Sequence, residues 1–266
     1  MLAPDYPREE HGWILFPRDT KHRHSILTPD LREKMKLHPA KMNMFLTEEI
    51  IRYVSKPGDT ILEPFGGVGT TMVAALEGRD IIILELEAIY HSIIKDTYEH
   101  WKATYPVSYV TILQGDNRQL LPLPCDHVIT SPPYAQTLVA NARGSTGTSE
   151  LTAAHREALE AYRGSGLNIG NLNPFIYSKQ MDKVYDLLIQ GIRPGGTMSI
   201  VIKDQMQAGK RILHSLPCMR SITRLGMEMF DWQKWKTPGT AFAALQKSKG
   251  NAVVEDEDII FFRKPI

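Results

Sequence analysis

Apolar residues in this chain fall into short continuous runs, with segments of helical spacing between them. The clearest run is Asp80-Ile81-Ile82-Ile83-Leu84. An unbroken series of β-branched residues and leucine predicts a parallel strand buried on both faces. Ile61-Leu62, Val107 to Leu113 and Cys125 to Thr130 read as further strands, and helical segments span Thr47–Val54 and continue through Met72-Val73-Ala74-Ala75-Leu76. Strand and helix therefore alternate from Thr47 to Thr130, which predicts an α/β fold with a doubly wound, mostly parallel, Rossmann-like sheet.

The alternation breaks after Tyr134. Residues 137–174 are rich in Gly, Ala, Ser, Thr and Asn, with a helix expected from Glu150 to Tyr162. A weakly patterned segment of this length is functional or disordered, and residues 135–176 are expected to form a lid or a target-contacting insertion. Regular spacing returns at Lys179 to Ile192, where Met181, Val184, Tyr185 and Leu188 share one helical face. Arg193-Pro194-Gly195-Gly196 then predicts a turn into a strand at Thr197–Ile202. Ile222–Phe230 and Asp258–Phe262 suit a closing antiparallel hairpin. Residues 1–38 lack periodicity and are expected to form an N-terminal arm over the site. The whole, residues 1–266, reads as a single domain.

Hydrophobic residues make up 42% and charged residues 23% of the chain, a composition of soluble globular proteins. No apolar run is long enough to span a bilayer, and the first residues lack signal-peptide features. Cys125 and Cys218 form neither a disulfide framework nor a metal-ligand spacing, so a reducing cytoplasm and no bound metal are expected. The net charge is +1. Any nucleic-acid footprint must therefore be local. Its candidates are Lys21-His22-Arg23-His24, Lys203 with Lys210 and Arg211, and Lys234, Trp235 and Lys236, where basic and aromatic residues interleave.

The chemistry concentrates at strand ends. Ser131-Pro132-Pro133-Tyr134 follows the strand Cys125 to Thr130, at the carboxyl edge where open α/β sheets bind ligands. Its prolines fix two φ angles and remove two N–H donors. A hydroxyl, rigid carbonyls and an aromatic ring then suit a planar heterocycle with an exocyclic amine. Upstream, Glu63-Pro64-Phe65-Gly66-Gly67-Val68-Gly69-Thr70-Thr71 reads as strand end, glycine turn and helix start, with Thr70 or Thr71 as the cap. A dinucleotide fingerprint would need a third glycine where Met72 stands, and Glu63 would repel a pyrophosphate. An acidic turn suits a cationic amino-acid moiety, which points to S-adenosylmethionine. Glu85, with Glu87 as rival, is placed to take ribose hydroxyls about 20 residues past the turn. Asp116, in Gly115-Asp116-Asn117, is placed for an adenine amino group.

These motifs resemble the DNA amino-methyltransferases, the N4-cytosine and N6-adenine methylase family. The glycine segment is similar to the family's D-P-F-x-G-x-G-T-T with Glu63 in place of Asp, and Ser131-Pro132-Pro133-Tyr134 matches its (D/N/S)-P-P-(Y/F/W) motif. His38-Pro39-Ala40-Lys41-Met42 and the helix after it look like the segment that packs against the methionine end of the cofactor. The resemblance covers Leu37 to Val201, with a weaker tail.

It implies a methyltransferase fold and transfer of a methyl group to a nucleobase amine, in a setting of DNA methylation and restriction–modification. Catalytic residues would be Ser131, Pro132, Pro133 and Tyr134. Cofactor residues would be Lys41, Glu63, Pro64, Phe65, Gly66, Gly67, Gly69, Thr70, Thr71, Glu85, Asp116 and Asn117. Serine in the first motif position leans towards N4-cytosine. N6-adenine and RNA bases are the alternatives, and a non-catalytic cofactor- or nucleic-acid-binding module is the alternative of another class. Protein glutamine methylases share an Asn-Pro-Pro-Tyr version, from which Ser131 departs. A cytosine 5-methylase would need a Pro-Cys nucleophile, but Pro124-Cys125 begins its strand and Pro217-Cys218 lies in or before a helix.

Overall fold

The computed structural model describes residues 1–38, 41–133, 165–207, 209–239 and 241–266. Its strands are β1 (Thr60–Glu63), β2 (Asp80–Glu85), β3 (Val110–Gln114), β4 (Cys125–Thr130), β5 (Ile192–Ile202), β6 (Gln205–Gln207), β7 (Lys210–Ile212), β8 (Glu228–Lys236) and β9 (Asp256–Arg263). Seven form one sheet in the order β3-β2-β1-β4-β5-β9-β8, and β6 and β7 make a separate two-stranded ladder. Pairing is parallel from β3 to β5 and antiparallel at β5–β9 and β8–β9. The expected doubly wound sheet with a closing hairpin is thus present.

Alternate residues of the strands feed two cores. Ile61, Ile81, Ile83, Ile129 and Val201 face one, together with Leu46 and Ile50 of α3 (Met44–Val54) and Ile93 and Trp101 of α4 (Ala88–Thr104). Leu62, Leu84, Val128, Met198 and Ile200 face the other. They pack there against Val184 and Leu188 of α6 (Pro174–Gly191) and Ile222 of α7 (Ser215–Arg224), while the short α5 is Asn117–Leu120. The continuous apolar character of β2 follows from this burial on both faces.

Several elements differ from expectation. Residues 1–38, expected as an arm over the site, are packed into the fold: Leu2, Ile14 and Phe16 are buried in the first core, and Ile14 bridges Trp235 at the β8 edge. Helices α1 (Thr20–Ile26) and α2 (Pro29–Met35) complete that segment. Arg193–Gly196 does not precede a separate strand. It lies within β5, where the register jumps from Cys125↔Ile192 to His127↔Thr197, with Gly195 at φ +74°. The strand expected to end at Phe230 instead runs as β8 to Lys236, so Trp232 to Lys236 lie in the ladder, and Ser215–Arg224 is helical. Thr70 and Thr71 cap nothing: a 3-10 helix, Thr70–Glu77, starts from Gly69 in the left-handed region with no side-chain cap.

Gly66 shows how closely the glycine turn sits on β2. A Cβ there would lie 2.5 Å from Ile83 Cγ2 and 3.1 Å from the Leu84 carbonyl, while the Gly66 N–H donates to that same carbonyl at 2.8 Å. Gly66→Ala is therefore expected to destabilise the fold by about 1–3 kcal/mol, the cost of overpacking against backbone. Thermal or denaturant unfolding measures this, and an unchanged midpoint would show that the turn yields freely.

Candidate functional site

The carboxyl edge of the sheet opens into a cavity of about 410 Å³, a volume suited to a cofactor-sized ligand. In sheet order its strand-end residues run Asp116 after β3, Glu85 on β2, Glu63 on β1, Ser131 after β4, Lys203 after β5 and Glu257 on β9. Adjacent strands are spaced about 4.8 Å apart. The row thus has three successive carboxylates on one side of Ser131, and Lys203 followed by a fourth carboxylate, Glu257, on the other.

Glu63 sits mid-row. Its carboxylate accepts from Thr130 Oγ1 at 2.6 Å, the Phe65 N–H at 3.0 Å and Thr71 Oγ1 at 2.9 Å. Burial pushes its pKa up to about 8, despite those three hydrogen bonds. Thr71 thus serves the carboxylate rather than a helix end. Thr130 is the residue directly before Ser131, so its hydrogen bond to Glu63 ties the two motifs together.

Glu85 accepts from the Gly67 N–H at 2.6 Å and the Glu87 N–H at 2.8 Å. Burial raises it to about 7. Gly67 has φ +52°, and a Cβ there would meet His38 Nε2 at 3.1 Å. The backbone of the turn is thereby held under the His38 ring, which packs edge-on against Tyr90 at 4.8 Å. Glu87 also lines the cavity and accepts from Asn168 Nδ2 at 3.1 Å.

Asp116 reaches the cavity, but its two oxygens hold Arg118: Nε at 2.8 and 3.0 Å and Nη2 at 2.6 Å, with the Arg118 N–H at 2.9 Å. Burial pushes this carboxyl up, yet the Arg118 hydrogen bonds outweigh it and hold its pKa low. An adenine amine would have to share the carboxylate with that guanidinium. Asn117 donates Nδ2 to the Pro64 carbonyl at 3.0 Å and so braces the glycine turn. Pro64, Phe65, Thr70 and Lys41 line the cavity. Gly69 is not among its lining residues, and a Cβ there would meet Ile94. Lys41 donates Nζ to the His38 carbonyl at 2.9 Å, and burial lowers its pKa.

Ser131, Pro132 and Pro133 line the cavity, and the Pro133 carbonyl accepts from Tyr177 Oη at 2.5 Å. Tyr134 and the expected lid up to residue 164 lie outside the described residues. Sequence reasoning missed Tyr177, Asn168 and Glu257, each distant in the chain from the motif it serves, and no local signal marks them.

The basic residues separate. Lys203 lines the cavity and donates to Thr237 Oγ1 at 2.8 Å. Lys210 is exposed. Arg211 pairs with Asp204 at 2.9 Å and Asp256 at 2.8 Å, Lys234 with Asp256 at 2.5 Å and Asp258 at 2.9 Å, and Lys236 with Glu9 at 3.2 Å. Trp235 is 4% exposed and donates Nε1 to Glu257 Oε2 at 2.9 Å. Lys234-Trp235-Lys236 is therefore not an open stacking strip, because its indole is core and its charges are neutralised within the protein. In the other basic run, Arg23 is buried and paired with Asp19 at 2.7 Å. Burial pushes both thiols, Cys125 and Cys218, up to about 12, which leaves neither a ready nucleophile. Among the described residues no cluster of metal ligands is found, and no helix is long and apolar enough to cross a membrane.

Residues 7–96 match the family model of the N6/N4 DNA methylases. A type II methyltransferase, M.BglI of Bacillus subtilis, is 44% identical over 54 residues, 20% of this chain and 16% of its own length. These matches support the DNA amino-methyltransferase family that the motifs resemble; the family-model match ends before Ser131. Among solved structures, the N-methyltransferase NodS from Bradyrhizobium japonicum WM9, in complex with S-adenosyl-L-homocysteine, is 11% identical, with coverage of 94% of this chain and 100% of its own and a TM-score of 0.51. The cyclase SpnF is 14% identical over 98% of both chains, with a TM-score of 0.55. The fold is thus that of the S-adenosylmethionine-dependent, Rossmann-like methyltransferases, and SpnF shows that such a fold alone does not choose the chemistry.

Proposed function

We propose that this chain methylates an exocyclic amino nitrogen of a nucleobase with S-adenosylmethionine as methyl donor, acting on DNA and preferentially at cytosine N4. The observation that carries the reading is the adjacency of Glu63 and Ser131 on neighbouring strand ends of one cavity, tied together through Thr130. The glycine turn and the acidic strand ends suit the cofactor. Gly66 and Gly67 bring backbone close, Glu63 suits a cationic amino-acid moiety, and Glu85 or Glu87 suits the ribose.

When bound there, the cofactor supplies an electrophilic methyl group on a sulfonium. The chain's own part is to hold the target. An aromatic amine is a poor nucleophile because its lone pair is delocalised. Ser131 Oγ and the Pro132 carbonyl accept its hydrogens and draw the nitrogen towards tetrahedral geometry, and the rigid Pro-Pro segment fixes the approach. The Pro133 carbonyl, bonded to Tyr177, anchors that segment to α6. A duplex target must first have its base extruded from the stack.

Transfer of radiolabelled methyl groups to unmodified DNA and RNA, with nucleoside analysis, tests the reading. N4-methylcytosine in DNA is expected. Label in N6-methyladenine or in RNA would move the assignment to those substrates, and no label in either polymer would reject it.

Cofactor affinity should depend on pH. A cationic ligand group beside Glu63 needs the carboxylate, whereas the ligand-free carboxyl has its pKa pushed up to about 8. The free protein therefore holds a proton that binding releases. Affinity rises with pH towards about 8, approaching roughly tenfold per pH unit well below it, and falls again where the ligand's own ammonium deprotonates. Calorimetry at neutral pH in two buffers of different ionisation enthalpy counts that proton. A count of zero would remove Glu63 from the ligand's cationic group.

A further inference from the structure

We propose that Lys203 is a specificity-determining residue of the target-base site, whose ammonium donates to the ring nitrogen beside the exocyclic amine. The inference rests on the base-methylase reading above and names which edge of the base is recognised. Position is the first support. β4 and β5 pair at Thr130↔Ile200, and β5 and β9 pair at Ile202↔Asp258, which brings Lys203 and Glu257 to facing ends of their strands. Lys203 thus lies one strand beyond Ser131, on the side away from Glu63 and Glu85, and two residues further along than Val201, which is level with Ser131. A base whose amine meets Ser131 directs its next ring atom to that side.

The second support is how the ammonium is held. Lys203 Nζ donates to Thr237 Oγ1 at 2.8 Å and lies 3.9 Å from Glu257 Oε1, while Glu257 Oε2 accepts from the buried Trp235. A lysine needed only for surface charge would not be drawn into a cavity wall by a hydroxyl and a carboxylate fixed by an indole. Burial lowers its pKa, with Glu257, Asp256 and Glu255 acting in the other direction.

The third support is chemical. Cytosine and adenine both carry an unprotonated ring nitrogen next to the amine, and a cationic donor pairs with it, whereas a ring N–H at that place is repelled. Donation to the ring nitrogen also draws density away from the amine. The contact therefore serves recognition rather than acceleration, and its loss appears in KM more than in kcat.

The test compares wild type, Lys203→Met and Lys203→Arg on oligonucleotides carrying either the natural target base or a deaza analogue with C–H in place of that ring nitrogen. Wild type is expected to lose roughly 10- to 100-fold in kcat/KM on the analogue, the scale of a charged hydrogen bond. Lys203→Met should show the same loss on the natural base and no further loss on the analogue, with Lys203→Arg restoring part of it. If Lys203→Met fails to fold, judged by cofactor titration, Thr237→Val provides the second arm, with a smaller loss confined to the natural base. Wild-type kcat/KM in Lys203→Met, or equal further losses on both bases in whichever variant folds, would overturn the assignment. A wild-type protein that methylates neither base would overturn the base-methylase reading itself.

Discussion

Ser131→Ala is expected to slow methyl transfer roughly 10- to 100-fold and to leave cofactor affinity within about twofold. In the proposed reaction the hydroxyl accepts a hydrogen bond from an amine whose positive charge grows as the new N–C bond forms, and a hydrogen bond to a charged partner contributes about 1.5–3 kcal/mol. By transition-state arithmetic, that range corresponds to the expected loss in rate. Ser131 lies one strand away from Glu63, so its removal leaves the acidic end of the cavity intact. Ser131→Asp keeps an acceptor and should retain measurable turnover. Single-turnover rates beside cofactor titrations separate the two effects. Wild-type turnover in Ser131→Ala would make the Ser-Pro-Pro segment a strand-ending turn and withdraw the main support for amine methylation.

Glu63→Ala carries the second large effect, on the fold as well as on the ligand. Glu63 is 3% exposed, and its truncation strands two hydroxyls, those of Thr71 and Thr130, and the Phe65 N–H in a buried site. Each stranded group costs about 1–3 kcal/mol before any relaxation, so a net destabilisation of about 2–4 kcal/mol is expected. Glu63→Gln keeps the shape and most of the hydrogen bonding, and should cost under about 1 kcal/mol while abolishing proton release on cofactor binding. Denaturant unfolding and calorimetry on the two variants distinguish these outcomes. Equal stability in both would mean that Thr71 and Thr130 find other partners.

The acidic strand ends from β1 to β3 were the more legible part of the cavity in the sequence. Ile61-Leu62 and Ile81–Leu84 announce strands buried on both faces, and acidic residues directly after apolar runs place Glu63, Glu85 and Asp116 along one edge. What those carboxylates do there was not legible, because a run of letters does not state which donors converge. Arg118, two residues from Asp116, takes both its oxygens. Thr71 faces Glu63 because Gly69, in the left-handed region at φ +79°, starts a 3-10 helix in place of a capped α-helix. The full length of β8 is not evident in the sequence, because Asp231-Trp232-Gln233-Lys234-Trp235-Lys236 is largely polar. Its charges are balanced by Asp256 and Asp258 on β9 and by Glu9, and its Trp235 is covered by Phe16 from the start of the chain. Irregular spacing likewise hid the burial of Leu2, Ile14 and Phe16, whose packing is set by β8 rather than by any helical or strand period.

The place of β9 in the sheet has a consequence for how the protein is made. It is last in the sequence yet lies between β5 and β8. On the ribosome, the strands from β1 to β5 can dock in turn as they emerge, whereas β8, bridged until then to Ile14, joins the sheet through Asp256–Arg263. Glu63, Glu85 and Ser131 belong to the part that assembles early. Glu257, the carboxylate beside Lys203, is made later, with β9. A nascent chain can therefore complete the Glu63, Glu85 and Ser131 side of the cavity before the side where Lys203 meets Glu257.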